Sequence, residues 1–162
     1  MFQKRGVMVR EETTTDRLEK VLQSTRPEDL SAFLEAEKDH LADGEKPLAD
    51  YLRGLFKEKG IEQRRLFIEA DILESYGYKL VSGEKHARGK DPYLRMFYAA
   101  GFTLEEAQRG LKLAGQPELY ARFPREAVLM SAFHQRLHTV EDVNALLEKH
   151  GMEPLHTVGS LD

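Results

Sequence analysis

Two histidines four residues apart, His134 and His138 in the stretch HQRLH, are the nearest approach to a metal site in this sequence. At the end of one helix that spacing would bring two imidazoles to one side. The stretch lacks the glutamate of a metalloprotease motif, and no third ligand is in view. A histidine at a helix C-terminus is also what the helix dipole favours, so no metal is expected. There is no cysteine, hence no disulfide framework and no thiolate-held zinc. No nucleophile sits beside a base, no carboxylates pair in an apolar stretch, and no glycine-rich loop is suited to phosphate. An enzyme is not expected, nor any cofactor. What remains is cation chemistry. The loop Glu84 to Lys90 (EKHARGK) carries three basic residues, one histidine and one acid.

The charge is unevenly spread. The net charge is −4 over 162 residues, which is not the balance of a nucleic-acid binder at first sight. Residues 1–46 carry 8 Lys/Arg against 11 Asp/Glu, residues 47–115 carry 12 against 10, and residues 116–162 carry 4 against 7. The positive balance therefore lies in the middle segment, where phosphate contacts would need it. No apolar run is long enough to span a bilayer. The N-terminus MFQKRGVMVREE lacks the apolar core of a signal peptide. Both point to a cytoplasmic protein with no membrane partner.

The elements that would hold these residues are helical throughout, and no strand of any length is expected. Thr13 to Leu22 forms a short helix. Pro27, followed by Glu28 and Asp29, opens a second, with Leu30, Phe33, Leu34 and Leu41 on its apolar face. Pro47 opens a third, in which Leu48, Tyr51, Leu52, Leu55 and Phe56 follow the helical period up to Gly60. Two short helices follow at about 62–69 and 73–81. Asp71 lies between them, a residue that tolerates left-handed backbone. Tyr93, Leu94, Phe97 and Tyr98 mark a helix that ends at Gly101, and these aromatics are read as core. Thr103-Leu104-Glu105-Glu106 is a capping box. It starts a helix that buries Leu104, Ala107, Leu111 and Ala114. Arg125 to Leu137 is dense in apolar residues and suits burial on more than one side. Thr139 caps a last helix through Lys149.

The stretch Gln63 to Gly83 resembles the lambda-repressor-like (Cro/XRE-type) helix-turn-helix family. The likeness rests on Gln63, Leu66, Ala70, the turn at Asp71-Ile72, Leu80 and the closing Ser82-Gly83. It implies an all-α, five-helix DNA-binding domain over residues 47–115. An N-terminal tail and accessory helices would occupy 1–46, and a C-terminal helical extension 116–162. Three positions depart from the family pattern. Phe67 replaces a small residue, Asp71 a glycine and Gly77 a branched apolar residue. Phe67 and Gly77 face each other in such a motif. A ring on one helix is therefore expected to fill the space that the glycine leaves on the other, and to offset the cost of a mid-helix glycine.

The resemblance further implies a bacterial-type transcriptional regulator that binds double-stranded DNA as a dimer. Gln63 would contact backbone or base from the first motif helix, with Arg64 and Arg65 beside it. Either arginine could touch phosphate or pair with Glu62 and Glu69. Glu74, Ser75, Tyr76, Tyr78 and Lys79 would be the exposed positions of the recognition segment. Lys79, Lys85, His86, Arg88 and Lys90 would meet phosphates. The helices from 125 to 149 are the candidate dimer or partner surface. The alternative is a protein-interaction or adaptor module that keeps the fold with weak or no DNA binding, its protein partner held by the acidic flanking helices. Glu74 and the acidic flanks favour that alternative.

Overall fold

The computed structural model describes residues 14–37 and 46–156, and every regular element among them is helical. The chain divides into two compact units, residues 1–42 and 43–162. In the first, α1 (Thr14–Ser24) leads through a 3-10 turn at Pro27–Asp29 into α2 (Leu30–Ala36). Arg17 donates two hydrogen bonds to the Glu37 carboxylate, at 3.1 and 2.7 Å. Of the apolar face expected on α2, Phe33 is buried, but Leu30 and Leu34 stay exposed. The helix has only seven residues, too few to carry a continuous stripe, and Leu41 lies outside the described residues.

The second unit holds seven helices among its described residues: α3 (Pro47–Glu58), α4 (Gln63–Ala70), α5 (Glu74–Ser82), α6 (Asp91–Ala99), α7 (Leu104–Leu113), α8 (Pro124–His134) and α9 (Val140–Lys149). Its centre is α6. Every residue from Asp91 to Tyr98 is buried, the pattern of a helix enclosed on all sides. Helices α4, α7 and α9 pack on it, and α8 packs on α7 and α9. Leu129, Ala132, Phe133, Val143 and Leu147 join the same core as Leu52, Leu66, Leu80 and Leu111. The C-terminal helices thus close the unit. Their apolar faces are covered from within, and no large apolar residue between 124 and 150 is exposed.

Two glycines let aromatic rings into this core. A Cβ on Gly77 would stand 2.5 Å from Cδ1 of Phe67, and one on Gly110 would stand 2.6 Å from Cζ of Phe97. Phe67 fills the space left by Gly77, as its position in the sequence suggests. The Phe97–Gly110 pair repeats the arrangement between α6 and α7.

Helix ends share one backbone device. At α4, the Ile72 N–H donates to the Phe67 carbonyl at 2.9 Å and the Asp71 N–H to that of Ile68 at 3.1 Å. Asp71 is left-handed, at φ 56°, which satisfies carbonyls the helix would otherwise orphan. The α8 end is the same. Leu137 donates to Ala132, Arg136 to Phe133, and Arg136 has φ 59°. Most such positions among the described residues are glycine. A side chain there costs about 1–2 kcal/mol, and less for Asp. Arg136 also ends α8 earlier than the apolar pattern of 125–137 suggests. His134 is the last residue of α8, and His138 lies beyond the break. The two histidines therefore do not share a helix.

Candidate nucleic-acid interface

Helices α4 and α5 pack on each other and meet at the left-handed Asp71. This corner is braced from behind by Arg95, which is 3% exposed at the heart of α6. Its guanidinium donates to the Ala70 carbonyl at 3.0 Å, to Leu155 at 2.9 Å and to His156 at 2.6 Å. Burial pushes its pKa down, and the charges of Asp71 and Asp91 oppose that shift. Asp91 accepts from Arg125 at 3.2 and 3.0 Å and from the His156 N–H at 2.8 Å. Arg125 in turn donates to the Glu153 and Pro154 carbonyls. The segment 153–156 is thereby tied across α6 to the motif turn. The sequence reading missed this cluster. Its signal is the lone arginine inside the apolar run YLRMFY.

On the outer side the expected site residues fall into three groups. Ser75, Tyr78, Lys79 and Arg88 are exposed. Tyr78 is 42% exposed, and its ring meets Phe67 edge-on with centroids 5.0 Å apart. Arg64 and Glu74 are exposed but pair with each other across the two motif helices at 3.7 Å, while Arg65 pairs with Glu69 at 3.0 Å. The acid that would repel phosphate thus has a cation beside it, drawn from the neighbouring helix.

Two residues stand apart from the surface expected of them. Tyr76 is only 8% exposed. Its ring faces inward on α5, with the Lys85 ammonium 5.4 Å from the centroid. Lys90, expected at phosphate, is drawn inward to the Glu126 carboxylate and the Glu118 carbonyl. Gln63 is half-buried, and its Oε1 is buried without a hydrogen-bond partner. The loop after α5 is held at both ends. Lys85 N–H returns to the Lys79 carbonyl at 3.1 Å, and Gln116 donates to the Ala87 carbonyl at 2.9 Å.

Beside these polar groups stand two apolar ones. Ile68 on α4 is 70% exposed, and Leu73, the residue before α5, is 60% exposed. Both are large apolar side chains held in water at the motif corner, and neither was singled out from the sequence as exposed. The helical spacing of α4 places Ile68 opposite Leu66 and Ala70, so its outward direction follows once those two are taken as core. No group of three metal-ligating side chains occurs among the described residues, and no helix there is long and apolar enough to cross a membrane. No family model, curated protein or solved structure matches this chain.

Proposed function

We propose that the second unit is a lambda-repressor-like helix-turn-helix domain that binds double-stranded DNA in a sequence-dependent way, with α5 as the recognition helix. One observation carries this reading. Two short helices meet at a left-handed residue, and the second leaves Ser75, Tyr78 and Lys79 on its outer side. A hydroxyl, a phenol and an ammonium can reach base edges and phosphates from such a helix. Arg88 on the following loop adds a phosphate contact. Lys90 and Tyr76, being turned inward, take no part. Such domains act in pairs on two half-sites, and a homodimer is part of the proposal. Its role would be transcriptional regulation in a bacterial-type cytoplasm.

A second reading is favoured by Ile68 and Leu73. Exposed apolar side chains at the motif corner, beside an Arg64–Glu74 pair that neutralises its own charge, suit a protein partner better than a phosphate backbone. The domain would then be an interaction module that keeps the fold.

Fluorescence anisotropy on a pool of random duplexes separates the two. For the DNA reading, binding at low salt weakens steeply as salt rises and is lost in the Lys79→Ala/Arg88→Ala variant. Absence of binding at low salt removes the DNA reading and leaves the apolar corner to be tested by Ile68→Ser.

A further inference from the structure

We propose that the cleft between the α6–α7 turn and the α8–α9 turn binds a small organic monoanion with an apolar body, its charged end on Arg136. The proposal stands independently of the DNA reading.

The cleft measures about 590 Å³, within the range of small-molecule sites. Its floor is apolar and held in place. Phe133 stacks on Tyr98 with ring centroids 3.9 Å apart, and Phe102 stacks on Phe97 at 5.0 Å. Leu104 and Leu137 extend that floor. A surface already fixed by its own core loses little on receiving an apolar ligand.

The rim is basic. His134, Arg136 and His138 all line the cleft and all are exposed. The break in the helix at Arg136 brings the two histidines there from different elements. Each imidazole offers a hydrogen-bond donor and the guanidinium offers several. Among the described residues, no hydrogen bond or ion pair engages the Arg136 side chain. Glu105 is the acid on the lining, and it has interactions of its own. Its charge disfavours a second anionic group on the ligand.

The backbone supplies an independent argument. Gly60, Gly101, Gly115 and Gly151 end their helices in the left-handed region, whereas Arg136 takes that conformation with a full side chain. Gly101 occupies the matching place across the same cleft. A long cation kept where glycine would be easier is a place to look for function. The other non-glycine among the described residues, Asp71, belongs to a residue type that tolerates the conformation.

The test uses 8-anilinonaphthalene-1-sulfonate, an aromatic monoanion whose fluorescence rises in apolar surroundings, and octanoate as competitor. The full chain is expected to bind the dye saturably and to release it to octanoate. Arg136→Gly removes the cation and relieves the backbone, so it should weaken dye binding roughly fivefold or more while leaving the thermal midpoint unchanged or higher. Arg136→Lys should retain part of the affinity. Asp71→Gly makes the same backbone change elsewhere and should leave dye binding unaltered. The proposal is overturned by dye binding that survives Arg136→Gly, by dye that octanoate cannot displace, or by no saturable binding of the dye at all.

Discussion

At the α4–α5 corner, Asp71 is left-handed and Arg95 holds the neighbouring Ala70 carbonyl from inside the core. At the α8–α9 corner, Arg136 is left-handed with the same pair of backbone bonds, and its side chain faces a cleft. The turns are alike, but the surfaces are not. The first corner has its charges paired, Arg64–Glu74 across the two helices and Arg65–Glu69 along α4. The second faces a larger cleft, with stacked rings lining it and an uncompensated guanidinium at its edge. Backbone geometry therefore decides where a corner can stand. What each corner can bind depends on which side chains the rest of the core leaves at its surface.

The comparison breaks first at Arg95. Arg95→Met keeps an unbranched apolar stem but leaves three carbonyls without a donor. A loss of about 3 kcal/mol is expected in urea unfolding. A loss below roughly 1 kcal/mol would mean that the first corner needs no brace.

Packing behind that corner comes next. Gly77→Ala should cost about 2 kcal/mol, since the new methyl meets the Phe67 ring. Adding Phe67→Leu should recover part of the loss, read as coupling in a double-mutant cycle. Gly54 in α3 has open space around it, so Gly54→Ala should stabilise by a few tenths to about 1 kcal/mol. Equal effects at the two glycines would refute the ring-in-glycine account.

The floor of the second corner can be tested by pH. Burial raises the Tyr98 pKa far above its ordinary value of 10.0, and the hydroxyl donates to the Leu129 carbonyl at 2.6 Å. Tyr93 is raised for the same reason. Above pH 10 the unfolded chain gives up these protons while the folded chain keeps them. Stability is therefore fully present below about pH 10 and falls as pH rises beyond it. Tyr98→Phe should lose about 1 kcal/mol at neutral pH and show a shallower alkaline decline. A slope identical to wild type would show that Tyr98 ionises freely in the fold.

The smallest effect sharpens the comparison of the turns themselves. Arg136→Gly should raise stability by about 1 kcal/mol, and Asp71→Gly by less, because aspartate suits the left-handed region better than arginine. Calorimetric midpoints of the two variants check the order. A larger gain at Asp71 would place the greater strain at the first corner.

Much of the helix pattern was legible. Helix positions followed from apolar spacing, and the Thr103 capping box and the Thr139 cap lie where the side chains suggest. Asp71 turned as its residue type allows. The facing of Phe67 and Gly77 was also readable, because a ring and a missing Cβ are complementary in volume. These are local properties, set by the period of the helix and by backbone sterics within a few residues.

The rest depended on contacts between residues far apart in the chain. Nothing near Lys90 in sequence announces Glu126, and nothing near Tyr76 says that the core would take its ring. The tie from Arg95 to Leu155 and His156 spans some sixty residues. The break at Arg136 overrode an apolar run that continues through Leu137. Local sequence by itself determined where helices form and how the capped ones begin. Only the tertiary structure decided which charges are neutralised, which stay open and where a cleft is left, because charge pairing and cavity shape depend on distances that sequence spacing does not encode.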